Sequence, residues 1–521
     1  MASDRHFPIV YHSVQSKGPV LSGLMLSSGG LMASHILEAG FAPMISDSNN
    51  TRTIEYISRN GKEAFVEERI KSLIDFYKEK EVKIAGSYLT SNGFADNVRI
   101  HEELKKQKPD LFLVGGGPAV DWSGKEIFNY TDAFDVLSYG DGDPVVAPLA
   151  RLVYEGEGNL DDIPNIWFRD RTTGRVRESG RRRMDIPLKG LPHPTYSKEF
   201  YPDIDGKIMI APREDSRSCP YGKCSFCVQT RIGGKYRLRP VEELAEEINT
   251  SGMIAHRSSG PSPKPDYVAE LVKLIPGKSV SAFAYANPNY DYPEVSKGLT
   301  GVFIGLESTD RHILEDVLNK TSDTERYLKN AWEMVKEFKR YGVATIVAMM
   351  VPCPGETQAT MERSLEYLVD LQPDFVVTLP MGPIPGTSIT RRAKKDPEST
   401  GILLSENFER EAMLYELDLL QKSEDWPEPP FKTKVDGEFV NPFLHTNRFT
   451  EELMEHGMYP SSDEIALMAE RYYSGLSLNQ DERRMQVNGF MGDLRGMIER
   501  GDYMGLGNVV ETINNNNMDV V

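Results

Sequence analysis

The chain has 521 residues, more than one hydrophobic core accommodates, and its length suggests about three domains. With 39% hydrophobic and 26% charged residues, it is neither a disordered chain, a collagen-like repeat nor a coiled-coil rod. A net charge of −18 makes phosphate backbones and anionic lipid surfaces poor partners, so neither nucleic acid nor membrane is expected. The longest apolar run, Val343 to Pro352, is about half of a membrane-spanning helix. The segment Met1 to His6 has no apolar h-region, so no signal peptide is expected and the expected location is cytoplasmic.

Residues 1 to 195 alternate strand-like and helix-like segments. Val82–Gly86, Leu111–Gly115 and Asp135–Tyr139 read as strands. Val66, Ile70, Leu73, Ile74 and Tyr77 form one apolar helical stripe, and Ile100 with Leu104 suggests a second helix. This alternation implies a parallel sheet covered on both faces. Pro164 to Met184 reads as a hairpin turning at Thr173-Gly174, its arginines on a solvated face. Leu191-Pro-His-Pro194 reads as a linker.

Residues 196 to 400 repeat the rhythm. Lys207–Ala211, Gly301–Gly305, Val343–Ala348 and Phe375–Leu379 read as strands. Pro240 starts a helix with Leu244 and Ile248 inward. A second helix carries Leu328, Ala331, Val335 and Phe338; a third, capped by Thr357, carries Met361, Leu365 and Leu368. So many βα units imply a partial or complete β/α barrel with its chemistry at the C-terminal strand ends. Residues 401 to 521 lose the strand rhythm. Glu409–Lys422 and Ser462–Tyr473 read as helices around a Pro- and aromatic-rich stretch, Trp426 to Phe449, giving a helical cap. The run Asn514 to Asn517 is expected to fray.

Only four cysteines are present, and Cys219, Cys224 and Cys227 fall within nine residues directly after a strand. A tight cluster suits a metal or iron–sulfur site rather than a disulfide scaffold. Zinc loops more often show two separated cysteine pairs, and no second pair exists here. A [4Fe–4S] cluster normally takes four cysteines. Three thiolates would leave one iron open to a small molecule. Cys353 reads as a small buried hydrophobe, the nine histidines show no metal spacing, and the 21 methionines read mostly as core, with Met381 a candidate pocket residue.

Cys219-Pro-Tyr-Gly-Lys-Cys224-Ser-Phe226-Cys227 resembles the radical S-adenosylmethionine (SAM) superfamily. The usual spacing is Cys-x3-Cys-x2-Cys; here the first gap holds one more residue, which Gly222 can absorb with a positive φ. The resemblance implies that the three cysteines hold a [4Fe–4S] cluster. It also implies that Phe226, Gly305, Glu307, Ser308, Gly355 and Glu356 lie around SAM. Pro383-Ile-Pro-Gly-Thr387 follows the next strand.

The N-terminal glycine-rich turns resemble the cobalamin-binding domain of the B12-dependent subfamily. They are Ser27-Ser28-Gly29-Gly30, Ser87-Tyr88-Leu-Thr90, Gly115-Gly116-Gly117-Pro118 and Gly140-Asp141-Gly142-Asp143. The resemblance implies cobalamin against Ser28, Gly29, Ser87, Tyr88, Thr90, Gly115, Gly116, Gly117, Gly140, Asp141 and Gly142. The Asp-x-His-x-x-Gly motif is absent, so cobalamin would bind base-off without a histidine ligand. The bland alternative is a nucleotide-type or vestigial Rossmann-like domain.

The resemblance thus implies an α/β chain with a Rossmann-like cobalamin-binding domain, a radical SAM barrel and a mainly helical C-terminal domain. The implied activity is methylation of an unactivated carbon, or of phosphorus, through methylcobalamin and a 5′-deoxyadenosyl radical. The substrate would be a small molecule or peptide, and the electron donor a flavodoxin or ferredoxin. A non-methylating rearrangement, ring contraction or cyclisation needs the same cofactors. Methylthiolation of tRNA would call for three further cysteines before Cys219, where none exists. A sensor without turnover would not need Glu307 or Gly355-Glu356.

Overall fold

The computed structural model describes residues 5–12, 25–27, 29–91, 93–170, 172–181, 183–260, 264–415 and 427–518. Strands β1 (His6–Tyr11), β2 (Ala42–Asp47), β3 (Ile84–Tyr88), β4 (Phe112–Gly116), β5 (Val136–Ser138), β6 (Ile166–Arg169) and β7 (Val176–Glu178) form one sheet. Its order is β2-β1-β3-β4-β5-β6-β7. The first five strands are parallel, and the β6–β7 hairpin adds an antiparallel edge. Because the order reverses between β1 and β3, a crevice opens at their carboxyl ends, where doubly wound sheets bind ligands. The helix Lys62–Glu79 buries the stripe Val66, Ile70, Leu73, Ile74 and Tyr77. The hairpin's arginines are not merely solvated: Arg183 pairs with Asp185 at 2.8 Å and donates to the Ile232 carbonyl at 2.6 Å.

The second sheet is built from β8 (Ala211–Arg213), β11 (Ala255–Ser258), β12 (Ser279–Ala284), β13 (Leu299–Glu307), β14 (Ala344–Met350) and β15 (Phe375–Leu379). All pair in parallel, in the order β15-β14-β13-β12-β11-β8. Between β8 and β11, β9 (Ser216–Arg217) and β10 (Arg237–Leu238) form a small antiparallel ladder around the cysteine loop. Six parallel strands with crossover helices make an open, partial β/α barrel. Val302, Ile304 and Leu306 of β13 pack beneath the crossover helices. The opposite face meets the helix Asp463–Tyr472, whose Ile465 and Leu467 share a core with Ile346 and Phe375. Thr357 caps the helix Gln358–Leu371 through a capping box.

Three sequence expectations change. Lys207 to Ile210 are not part of the strand, which is Ala211–Arg213 alone. Their backbone is taken up by the last helix: Asn514 Oδ1 accepts from Met209 N at 2.7 Å, and Asn514 Nδ2 donates to the Lys207 carbonyl at 2.8 Å. The asparagine run therefore does not fray. It ends the helix Tyr503–Asn517, and Asn517 is fully buried, accepting from Ala255 N at 2.6 Å and donating to the Met209 carbonyl. The Pro- and aromatic-rich stretch, expected to lack strands, contains two. β17 (Phe431–Val435) and β18 (Glu438–Val440) pair there, with β16 (Ile402–Leu404) on the other edge, ahead of the helices Pro442–Glu455, Asp463–Tyr472, Gln480–Arg500 and Tyr503–Asn517. The helix expected over Glu409–Lys422 spans Phe408–Leu414, and residues 416–426 lie outside the described residues. Among the described residues, no helix is long and apolar enough to cross a membrane.

Candidate functional site

Cys219, Cys224 and Cys227 are free and half-buried on the loop between β9 and the short helix Gln229–Gly233. Burial pushes the Cys224 thiol up to about 12 and raises Cys227; the other thiols of the loop raise each further, so the three lie within electrostatic reach of one another. Gly222 adopts φ +60°, as its place in the longer gap requires. Among the described residues, no three His, Cys, Asp or Glu side chains converge on a single ion. Cys353 stands apart: it is fully buried and its thiol faces the Met350 carbonyl at 3.2 Å. Phe226 packs against the apolar cluster that holds Cys353 and buried Met381.

Beside the thiols, β13 ends in a bulge between Gly305 and Glu307. Glu307 has φ +73°, a left-handed backbone that a glutamate rarely adopts, and its carboxylate pairs with Lys320 Nζ at 2.9 Å. Burial works against the Lys320 ammonium, yet Glu307, with Tyr327 and Cys224 behind it, holds its pKa well above the ordinary value. A Cβ on Gly305 would meet Glu307 Oε1 at 2.5 Å, so glycine is what lets the pair fold back over the strand end. Ser308 is fully buried, and its hydroxyl accepts from Asp310 N at 3.2 Å. Gly355 (φ +87°) faces open space. Glu356 turns inward instead, accepting from Cys353 N at 2.7 Å, and burial pushes its carboxyl up to about 8.

At the crevice of the first sheet, a cavity of about 340 Å³ is lined by Ser87, Tyr88, Gly116, Gly117, Gly140, Asp141 and Gly142. Its far wall is Ser216, Arg217, Ser218, Gln229 and Gly233, which flank the cysteine loop. Tyr11 and Tyr88, at the ends of β1 and β3, stack within it at 4.8 Å. A Cβ on Gly116 would find nothing nearer than Ser138 O at 3.8 Å, so this position lies open to the cavity. Gly115 faces the core, where a Cβ would meet Leu137 and Leu89 at 2.8 and 2.9 Å. Gly29 is buried in the first turn of the helix Gly29–Glu38 against Ile45 and Tyr11, and neither it nor Thr90 lines the cavity. Ser28 lies outside the described residues.

Sequence reasoning did not anticipate the ionic seam that closes this cavity. Asp141 pairs with Arg237 and, at 3.2 Å, with Arg217; Asp143 takes Arg217 at 2.6 Å and His35 at 2.8 Å. Asp141 also accepts from Ile186 N at 2.8 Å, so its carboxylate is committed to joining the first sheet to the β9–β10 ladder. Only the charge of 140–143 hinted at this; its arginine partners lie about 70 to 100 residues away in the chain. Lys320 carries no local sequence signal at all.

Residues 214–368 match the radical SAM superfamily. Over 401 residues the chain is 21% identical to an uncharacterized methyltransferase of Pyrococcus horikoshii, covering 73% of this chain and 82% of that protein. It is also 21% identical over 323 residues to the cobalamin-dependent radical SAM methyltransferase TokK of Streptomyces tokunonensis, covering 58% of this chain and 46% of TokK. The structure of the radical SAM methyltransferase TsrM of Kitasatospora setae, with cobalamin and a [4Fe–4S] cluster bound, superposes with a TM-score of 0.65 at 15% identity. That match covers 94% of this chain and all of TsrM, and it shows a shared fold through both sheets.

Proposed function

We propose that this radical SAM protein is a cobalamin-dependent methyltransferase acting on a small molecule or peptide. One observation carries the reading: a single cavity is walled by the glycine-rich strand ends of the first sheet and by residues flanking the three-cysteine loop. A corrin set on Gly116, Gly117 and Gly142 would therefore face whatever the cysteines hold. When bound, the cluster and SAM supply a substrate radical, and cobalamin supplies the methyl group. The chain's own work is geometric. Cys219, Cys224 and Cys227 anchor the cluster, and Lys320 sets a buried cation beside it. Asp141 and Asp143, through Arg217 and Arg237, hold the two halves at a fixed separation and keep water out of the seam.

Residues 1–195, 196–400 and 401–521 are taken as the cobalamin, barrel and capping units. The thiol cluster and acidic surface accord with a reducing cytoplasm and with electrons from a flavodoxin or ferredoxin. The test is anaerobic reconstitution with SAM, methylcobalamin and a substrate library, read by mass. Formation of 5′-deoxyadenosine together with a product heavier by CH2 supports the reading. A rearranged product with no added carbon would favour the ring-contraction or cyclisation alternative, and no 5′-deoxyadenosine at all would sink both.

A further inference from the structure

The cysteine loop carries one residue more than the usual spacing, and its contacts show what that residue does. The residues on either side of Gly222 are both fastened to Asn319. Tyr221 OH donates to the Asn319 carbonyl at 3.0 Å, and Asn319 Nδ2 donates to the Lys223 carbonyl at 2.9 Å. Asn319 has φ +49°, which asparagine tolerates better than other residues with a Cβ. It follows the π-helical turn Ile313–Val317, a wide turn that recurs at functional sites. The next stretch of the loop is tied to the same segment. Ser225 N donates to the Leu318 carbonyl at 2.8 Å, and Ser225 Oγ donates to the Val317 carbonyl at 2.6 Å. Lys320, directly after Asn319, holds Glu307, and its own carbonyl accepts from Tyr285 OH at 3.1 Å while Tyr285 stacks on Tyr221. The Lys223 side chain is not part of this clasp; it is exposed, with its ammonium 6.0 Å from the Tyr221 ring.

We propose that Asn319 is a positioning residue for the cysteine loop: its side-chain amide and backbone carbonyl clasp residues 223 and 221 across Gly222, fixing the Cys224 thiolate and the Lys320 ammonium in one frame. The inference rests on the reading of this loop as a cluster site. Charge and hydrogen bonding around the sulfurs set a cluster's potential. A loop that shifts against Lys320 therefore changes the potential even when all three ligands remain. With the usual three-residue gap, the Lys223 carbonyl would be lost as the acceptor for Asn319, so the clasp and the longer gap belong together.

The test uses the full chain, reconstituted anaerobically with iron and sulfide. It compares wild type, Asn319→Ala, Asn319→Gly, a Lys223 deletion and the Asn319→Gly deletion double variant. Asn319→Gly keeps the left-handed backbone and removes only the amide; far-UV circular dichroism checks folding. The readouts are iron per chain, the electron paramagnetic resonance spectrum of the reduced cluster without SAM, and its midpoint potential. The expected result is retained iron with a shifted spectrum and potential in Asn319→Gly, a similar shift on deleting Lys223, and no further shift in the double variant. A wild-type spectrum and potential in folded Asn319→Gly, or additive shifts in the double variant, would overturn the clasp alone. Absence of iron from the wild type would instead overturn the cluster reading on which it rests.

Discussion

Lys320 Nζ lies 2.9 Å from Glu307 Oε1, with both side chains close to nine-tenths buried. Glu307 reaches this partner from a left-handed backbone, which costs about 1–3 kcal/mol and persists only where its surroundings enforce it. Removing one member of such a pair leaves the other charged without compensation. Lys320→Met should therefore destabilise the fold by about 3 kcal/mol in denaturant titrations, and adding Glu307→Gln should recover most of the loss. Equal midpoints for wild type and Lys320→Met would show that Glu307 finds water or another donor.

The thiols separate into two kinds. Alanine at Cys219, Cys224 or Cys227 should each lower the iron bound after anaerobic reconstitution, which otherwise reaches about four irons per chain. Cys353→Ala should leave iron unchanged, because that thiol is buried against Met350 and packs with Met381. Iron lost on changing Cys353 would make it a fourth ligand and close the open iron.

Neighbouring glycines give opposite expectations. Gly116→Phe projects a ring into the cavity and should abolish cobalamin binding, read by equilibrium dialysis, while the protein stays folded. Gly115→Ala instead pushes on Leu137 and Leu89, and should cost about 1–3 kcal/mol of stability with cobalamin binding retained at low temperature. Full cobalamin stoichiometry in Gly116→Phe would place the corrin elsewhere.

What the sequence disclosed was local. The three cysteines proposed as ligands share one loop, so their spacing alone suggested the chemistry, and β4 and β15 are apolar runs that need no partner to be recognised. β1 escaped notice because Pro8, which lacks an N–H, sits in a strand paired on both sides. β11, Ala255-His-Arg-Ser258, is short and polar because Arg257 is neutralised by Asp463, more than 200 residues onward. Asp141 read as a cofactor residue from its glycine neighbours, yet its carboxylate is held by Arg217 and Arg237, which no local pattern links to it.

The terminal asparagines make the same point with a measurable consequence. Asn517 accepts from Ala255 N and donates to the Met209 carbonyl, standing in for a strand neighbour at the open edge of the barrel. Asn517→Ala leaves two backbone groups unpartnered and should cost about 2–4 kcal/mol. Amide exchange should accelerate at Ala255, whose N–H loses its acceptor, before it does at β13. Unchanged exchange there would mean that the last helix is dispensable to the barrel.

Glu356 offers a test by pH. Burial pushes its carboxyl up to about 8, against an ordinary value near 4.5, and its Oε1 finds no hydrogen-bond partner among the described residues. The folded chain therefore holds a proton that the unfolded chain releases once pH passes the ordinary value. This group's contribution to stability is full below about pH 4.5 and is lost as pH rises towards 8. Glu356→Gln keeps an acceptor for Cys353 N but cannot ionise. Wild type and variant should have similar unfolding free energies near pH 5, and by pH 8 the variant should gain on the order of 3 kcal/mol relative to wild type. Parallel stability curves across that window would show that the carboxyl ionises at its ordinary pH in the folded chain, and that the turn after β14 admits water to it.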